Sequence, residues 1–205
     1  AAQECGIGPK EHPMSNLRNE LAIALGREQY DLTDEGVYFP RQGVLAAGEY
    51  FDRINGGEWQ RTKNLIPTDG LAHILNVAMG STAKPAGYFL ALFSGAAAPA
   101  ANWTAASFAA AASEIVSLTE GHTHATRPAW TPANTSTGSI DNMASVATVT
   151  IATSSQLNVT GAAMLTNSSR GGTTGVLVSA TKYAAARIFQ DGDTYEVGYR
   201  LSLTV

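Results

Sequence analysis

The sequence predicts a mainly β protein, an antiparallel β-sandwich preceded by an N-terminal extended and helical arm. Hydrophobic residues make up 44% of the 205 residues, which is enough to bury the core of one domain. Residues 113–205 alternate short apolar segments with clusters of Gly, Asn and Ser, a pattern typical of antiparallel strands. Residues 1–14 contain two Gly and two Pro and show no periodicity. We therefore divide the chain into an assembly arm, residues 1–47, and a sandwich domain, residues 48–205.

The arm contains one predicted helix. Ser15 can cap a helix over residues 16–25, whose leucines at every fourth position share one face, and Gly26 ends it. Because a helix of this length is only marginally stable alone, it needs a surface to pack against.

The arm also contains a predicted strand around residues 37–39, which Pro40 ends. Aromatic and apolar side chains supply large contact areas at protein interfaces, so we expect contacts between subunits here. The predicted partner-binding residues are Tyr30, Val37, Tyr38 and Phe39.

A β-hairpin and a helix are predicted next along the chain. Residues 49–54 and 58–66 flank an Asn-Gly-Gly turn, and Asn-Gly readily supplies the positive φ angles of a tight turn. Asp69 then opens a predicted helix over residues 70–79, which Gly80 ends. The predicted buried face of this helix carries Leu71, Ile74, Leu75 and Ala78.

The rest of the chain is predicted to be mostly β, with one Ala-rich exception. Residues 87–93 are apolar without interruption, which indicates a strand buried on both faces. Residues 95–113 combine many alanines with Pro99, which favours a loop and then a short helix at 105–113. The sandwich is predicted to be immunoglobulin-like or jelly-roll-like, with strands at 113–118, 144–152, 156–166, 175–180, 185–189 and 194–205.

Charge is distributed unevenly along the chain. Residues 1–80 carry 18 of the 30 charged side chains, whereas residues 81–180 carry six. A neutral surface of small residues suits packing against neighbours in an assembly, although the same composition also fits a β-domain with an Ala and Thr bias. The net charge of −4 and pI near 5.5 leave no basic excess, so we expect no nucleic-acid partner.

Membrane and disulfide chemistry are not expected either. No apolar run approaches the roughly 18 residues of a membrane-spanning helix, so no membrane partner is predicted. Cys5 is the single cysteine, which excludes an internal disulfide framework and a zinc site with several cysteines. The first residues lack the pattern of a secretory signal, and we expect the chain to be made in a reducing cytoplasm.

The sequence predicts no catalytic residues and no cofactor. His122 and His124 are the weak candidates for a metal site, because residues i and i+2 of a strand share a face, where Glu120 would add a carboxylate. The alternative is an exposed polar loop, and the spacing fixes no third ligand. Nucleophile-elbow and Cys-His patterns are absent.

The remaining motifs indicate turns and packing contacts and not catalytic or binding sites. Residues 171–175 lack the lysine of a phosphate-binding loop and indicate a hairpin turn, and residues 191–193 also indicate a turn. Glu114 and Glu120 could approach each other as a carboxylate pair, but nothing else indicates a sugar cleft. The three tryptophans are predicted to be core or interface anchors.

Six segments together resemble a family of small structural proteins of tailed bacteriophages. The resemblance covers roughly residues 49–205, and the order and spacing of the segments carry it. The segments are NLIPTDGLAHIL at 64–75, YFLALF at 88–93, TRPAW at 126–130, DNMAS at 141–145, NSSRGGTTG at 167–175 and DGDTYEV at 191–197. Family members often carry a further stretch before the RPAW residues, where this chain has Ala-rich residues 96–113. Any partner contact of that stretch would therefore differ here.

The resemblance implies a virion structural protein and no catalytic residue. We expect a capsid decoration (cement) protein that bridges capsid subunits, is assembled in the host cytoplasm and forms a homo-oligomer, with a trimer as the expected state. Its expected partners are the major capsid protein or other virion proteins. A tail, head–tail connector or fibre-base component is the first alternative. A phage hydrolase and a glycan-binding module are the others.

Overall fold

The structure, a computed structural model, describes residues 30–32, 38–40 and 44–204, the first two segments by their backbone alone. Those two segments are strands β1, Tyr30–Leu32, and β2, Tyr38–Pro40, which pair as an antiparallel ribbon. Residues 45–204 form a compact unit by themselves. The predicted boundary after residue 47 falls inside the first strand of that unit.

Two antiparallel sheets form this unit, as the sequence predicts. The larger sheet consists of β3 (Leu45–Ile54), β4 (Gln60–Lys63), β6 (Gly121–His122), β8 (Ser139–Asp141), β9 (Ala147–Ala152) and β12 (Thr194–Thr204). The last strand, β12, lies at its centre, with β3 along one side and β9 and β8 along the other. β4 pairs with β3 and β6 pairs with β9 at the two edges.

The smaller sheet packs against the larger one and completes the sandwich. Its strands are β5 (Tyr88–Phe93), β7 (Ala129–Trp130), β10 (Leu157–Leu165) and β11 (Leu177–Phe189), in the order β11-β10-β5-β7. The core between the sheets contains alternate residues of the facing strands, such as Leu90, Leu92, Val197 and Tyr199. This period of two is the expected pattern for strands that bury one face against a partner sheet.

An Ala-rich segment covers the outer face of the smaller sheet. Its helix α2, Ala105–Ala112, packs Phe108 against Phe93, and Trp103 contacts the same ring. The Thr104 side chain accepts a hydrogen bond from the Ser107 amide, which caps the helix. β5 is therefore buried on both faces, and both this burial and the predicted loop and short helix are confirmed.

The helix after the hairpin turns a different face to the core from the predicted one. This helix, α1, spans Thr68–Ala78 and packs against β11, with Pro67 as its N-cap in place of the predicted start at Asp69. The prediction that Leu71, Leu75 and Ala78 are buried is wrong, because all three are exposed, and Ile74 is half-buried. Gly70 and His73 face the sheet instead, since a Cβ at Gly70 would lie 2.2 Å from the Val178 carbonyl oxygen.

Several other predictions concern boundaries and turns. Asn55 and Gly56 both adopt positive φ, which confirms the tight hairpin turn. The strand predicted at 113–118 is wrong, because only Glu114 makes a β-bridge there. The strands predicted at 175–180 and 185–189 are one strand, β11, with an irregularity opposite Thr160. That irregularity explains the break in the sequence pattern.

Buried polar groups cross from one sheet to the other. Asp52 of β3 accepts hydrogen bonds from Arg187 of β11, with the closer oxygen 2.7 Å from Nε. The Tyr50 hydroxyl lies 2.7 Å from the Ser179 hydroxyl across the same core. The Tyr183 and Tyr195 hydroxyls lie 2.8 Å apart beside them. Such partners are required, because a buried polar group without one costs free energy.

Candidate partner-binding surface

Three of the four predicted partner-binding residues of the arm lie in strands β1 and β2. Tyr30 lies in β1, and Tyr38 and Phe39 lie in β2, where Asp31 pairs with Phe39 and Leu32 with Tyr38. Only the backbone of these strands is described, and Val37 lies outside the described residues. The contacts of these four side chains therefore remain a prediction.

The two candidate metal-binding histidines lie in different surroundings. Strand β6 ends at His122, which is 2% exposed, whereas His124 is exposed. His122 Nδ1 is buried without a hydrogen-bond partner. The ring of His124 donates from Nδ1 to the Thr126 carbonyl oxygen, 2.8 Å away. The shared strand face on which the metal hypothesis depends is therefore not formed.

The electrostatics at His122 favour a neutral ring. Burial, together with the nearby Arg170 and His124, lowers the pKa of His122 to about 3, with burial as the largest cause. A neutral imidazole is the form that binds metals, so protonation does not exclude a ligand role. Among the residues that the structure describes, however, no three His, Cys, Asp or Glu side chains group closely enough to hold a metal ion.

The carboxylate that was the third candidate ligand has another role. Glu120 accepts hydrogen bonds from the Thr153 hydroxyl at 2.8 Å and from the Ser154 amide at 3.1 Å. These bonds hold the turn between β9 and β10 and keep the pKa of Glu120 below its ordinary value. Glu114 lies in a separate, buried ion pair, so the two acids do not act as a catalytic pair.

Two of the segments that carry the phage resemblance meet at one buried ion pair. Arg127 of the TRPAW segment donates from Nε and Nη2 to the two carboxylate oxygens of Glu114, both at 2.7 Å. Its guanidinium also donates to the carbonyls of Asn167 and Gly172 in the NSSRGGTTG segment. The amide of Gly171 completes the set by donating to Glu114. The two segments therefore hold each other in place.

Arg170, from the same segment, makes a second cluster of backbone contacts. Its Nη1 donates to the carbonyls of His122 and His124, and its Nη2 donates to those of Ile115 and Ser117. Four carbonyls on one guanidinium thus tie the segment at 115–117 to residues 122–124, at and just after the end of β6. Both terminal nitrogens of Arg170 are bound to backbone carbonyls, whereas its Nε is buried without a partner.

The outward face of α1 is an apolar surface that the described residues leave uncovered. Leu71, Leu75 and Met79 follow at intervals of four residues and are 44%, 63% and 87% exposed. We call these three side chains the α1 stripe. Residues 70–83 contain no charged side chain, so the stripe is flanked only by Asp69 before it and Lys84 after it. A helix that is apolar on both faces is normally covered on both.

An apolar cavity opens beside the last turn of the same helix. It has a volume of about 480 Å³ and lies between α1, the loop at 84–87 and the facing ends of the two sheets. Ile74, Trp130 and Leu201 contribute to its walls, and Lys84 is the charged residue that lines it. This volume falls within the range of small-molecule and side-chain pockets.

A contact between His73 and Tyr88 holds the Tyr88 side chain in the wall of this cavity. His73 Nε2 lies 3.1 Å from the Tyr88 hydroxyl, and the Tyr88 ring packs edge-on against Trp130. Burial lowers the pKa of His73 and raises the pKa of Tyr88, so both groups are neutral near pH 7. The chemistry available at this end of the sandwich is apolar contact, with one cation at the rim.

Comparisons with known proteins do not add an assignment. A scan against protein-family models, a search of curated proteins and a search of solved structures each return no match. No helix among the described residues is long and apolar enough to cross a membrane. The arguments about function therefore depend on the residues themselves.

Sequence reasoning missed the exposed surface of α1 for an identifiable reason. Leu71, Ile74, Leu75 and Ala78 follow helical spacing, which is the usual mark of a buried face. The signal that could have found the true inner face is Gly70, since a glycine inside a helix often marks a close approach of backbone. Gly70, His73, Ile74 and Val77 also follow helical spacing, and they face inward or lie half-buried.

Proposed function

We propose that this chain is a virion structural protein of a tailed bacteriophage, acting as a capsid decoration protein that stabilises the head by bridging capsid subunits. The observation that carries the proposal is the apolar surface formed by the α1 stripe and the adjoining cavity, which a neighbouring subunit of the particle, either a capsid protein or a second copy of this chain, would cover. Such a surface gains free energy only when a partner covers it. Burial of complementary surface is what a bridging protein needs, in place of catalytic groups.

The role of the resemblance motifs supports the same proposal. The TRPAW and NSSRGGTTG segments make the buried Arg127–Glu114 cluster, in which each charged atom has a protein partner. Segments that resemble phage structural proteins thus act here in holding the fold. An enzyme would instead be expected to leave polar side chains converging on a cleft.

The low charge of the central part of the chain fits dense packing in a particle. Residues 81–180 carry six charged side chains, and all of them except Lys84 bind other groups of the protein: Glu114, Glu120, Arg127, Asp141 and Arg170. Many copies could therefore pack on a shell without strong repulsion between them. In this proposal the major capsid protein is the partner, and the protein resides in the virion after assembly in the host cytoplasm.

The test is the number of copies of this chain per purified virion. Quantitative mass spectrometry with labelled peptides measures that number against the major capsid protein. A decoration protein is expected at hundreds of copies, because closed capsid symmetry repeats each site. A handful to a few dozen copies would place the chain in the neck, tail or fibre base and overturn the decoration role. Absence from the particle would overturn both virion roles.

A second measurement separates stabilisation from mere presence. Particles made without this protein are expected to release their DNA at a lower temperature than complete particles, and purified protein added back should restore the release temperature. Unchanged release temperatures for particles that normally carry hundreds of copies would contradict the stabilising role. The control is the same protein added after heat denaturation.

A further inference from the structure

We propose that the α1 stripe is a self-association surface, on which a second copy of this chain packs its own α1 antiparallel across a two-fold axis. The inference concerns contacts between copies and does not depend on the virion role. It is drawn from the exposure of the stripe, the charges at its two ends and the geometry of α1.

The stripe has the chemistry of a helix interface. Leu71 and Leu75 lie on one side of the 11-residue helix, which is about 16 Å long at 1.5 Å per residue, and Met79 is the residue that caps its end. The neighbouring outward residues Ala72 and Asn76 are small or uncharged, which permits close approach of a second helix. The stripe is therefore apolar at its centre and free of charge along its length.

The charges at the two ends of the stripe favour a second copy of this chain as the partner. Asp69 lies in the first turn of α1, and Lys84 lies beside the last turn, where it lines the cavity with Val77 and Ala78. Neither makes an ion pair with another described residue. An antiparallel second copy brings its Lys84 towards Asp69 and its Asp69 towards Lys84, so both charges find opposite partners. A parallel arrangement would bring like charges together.

Two-fold symmetry fixes which residues meet. In an isologous contact residue i meets residue j while j meets i, so the central residue of the stripe lies near the axis. Leu75 is therefore expected to meet Leu75 of the other copy, with Leu71 against Met79 on either side. Ala78 and Lys84 line the cavity, so the second copy also covers part of the cavity mouth.

The first test is a cysteine crosslink at the axis. In a full-length background with Cys5→Ser, Leu75→Cys is expected to give a disulfide-linked dimer under mild oxidation, because only a residue near the axis meets itself. Val116→Cys is the matched control, since Val116 is an exposed apolar residue far from α1 in sequence. Equal crosslinking of the two variants, or none at Leu75→Cys, would overturn the proposal.

The second test is a charge exchange that a folding defect cannot imitate. Sedimentation velocity over a range of concentrations should show a dimer of the wild-type chain, weakened at least about tenfold by Asp69→Lys or by Lys84→Glu. The double variant Asp69→Lys/Lys84→Glu restores opposite charges and is expected to dimerise again. Failure of the double variant to recover, while circular dichroism shows all three variants folded, would contradict the antiparallel pairing.

The wild-type oligomer itself can overturn the inference. A chain that sediments as a monomer at all concentrations, or as a trimer that Leu75→Glu leaves unchanged, has no such two-fold contact. Leu75→Glu places a charge on an already exposed position, so the fold should be retained. Because the copy number in virions is measured separately, failure here leaves the proposed function standing, and the reverse also holds.

Discussion

Buried polar side chains in this protein mostly bind other groups of the fold. Arg127 and Arg170 spend their guanidinium groups on a carboxylate and on backbone carbonyls. Among the histidines that the structure describes, His122 is the exception, since its Nδ1 is buried without a partner. The consequence for His122 is a ring that stays neutral in the folded protein while the unfolded chain can still be protonated.

This difference predicts a pH dependence of stability that arises from His122. Its pKa is lowered from 6.5 to about 3 on folding, so the unfolded state takes up a proton first as the pH falls. The contribution of neutral His122 is complete above pH 6.5 and is lost progressively as the pH falls towards 3. In this window the free energy of unfolding should fall by up to about 1.4 kcal/mol per pH unit for this residue.

Urea unfolding between about pH 7 and about pH 5 avoids most carboxylate titration, and a variant of His122 separates its effect from that of His73, whose pKa burial also lowers. The variant His122→Asn is expected to show a shallower slope of stability against pH than the wild-type chain. His124→Asn serves as the matched control at an exposed position. Equal slopes for wild type and His122→Asn would show that the ring is protonated in the folded state.

At the scale of elements, the orientation of α1 is decided by backbone contact and not by hydrophobicity. The absence of a side chain at Gly70 lets the helix approach the carbonyl oxygens of β11. His73 and Ile74 follow Gly70 onto the inner face, and the leucines are turned outward. The surface on which the self-association proposal depends is thus a consequence of one glycine.

The variant Gly70→Ala tests this account by the sign of its effect. In an unconstrained helix the change from Gly to Ala stabilises by about 0.5–1 kcal/mol. Here the new Cβ would lie 2.2 Å from the Val178 carbonyl oxygen, so α1 must move away from β11. We expect a loss of about 1–3 kcal/mol in the free energy of unfolding, measured in denaturant.

The exposed position Ala72 supplies the control for this experiment. Ala72→Gly is expected to cost about 1 kcal/mol through helix propensity alone, with no effect of packing. If Gly70→Ala stabilises the protein, the close approach of α1 to β11 is not the reason for its orientation.

The elements that the sequence predicts well are those with a strong local pattern. The uninterrupted apolar residues of β5 predict burial on both faces, and the alternation from Tyr195 predicts β12. The many alanines after Pro99 predict a loop and then the short helix α2. The segment at 113–118 is predicted wrongly, because its apolar residues have strand character but its backbone carbonyls bind Arg170 in place of a neighbouring strand.

The candidate surface is less predictable than the fold. Exposure of the α1 stripe depends on a contact between Gly70 and a strand more than 100 residues later, which no local pattern shows. The same holds for the cavity, whose walls come from α1 and from strands of both sheets. Sequence patterns predict which residues are apolar, but the long-range packing decides which of them remain uncovered.

At the scale of the whole molecule, buried charge joins the two sheets. Asp52 is fully buried on β3, and both of its oxygens accept hydrogen bonds from Arg187 of β11. Arg187 also packs over the Tyr183 ring, 4.3 Å from its centroid. This pair fixes the relative position of the sheets at a site where apolar packing alone would permit sliding.

Removing one partner of this pair should therefore be costly. Arg187→Met leaves Asp52 buried without its cation, and we expect the free energy of unfolding to fall by about 3–5 kcal/mol. The double variant Asp52→Asn/Arg187→Met removes the uncompensated charge and should recover part of that loss. Chemical denaturation of the four proteins of this cycle provides the measurement.

An exposed ion pair in the same sheet provides the comparison. Arg61 lies 2.7 Å from Glu49 at the surface, and Arg61→Met should cost less than about 1 kcal/mol. A similar cost for Arg61→Met and Arg187→Met would mean that the buried pair does not hold the sheets together.

The central position of β12 has a consequence for the order of events on the ribosome. The larger sheet pairs β3 with β12, so residues such as Tyr50 and Tyr199 must meet across most of the chain. Until residue 204 has been synthesised, β3 and β9 lack the strand between them, and their edges stay open to wrong partners. Such long-range pairing also slows folding. In a nascent chain β3 thus lacks its partner β12 while residues 55–193 are synthesised, and during this interval its open edge is exposed to aggregation.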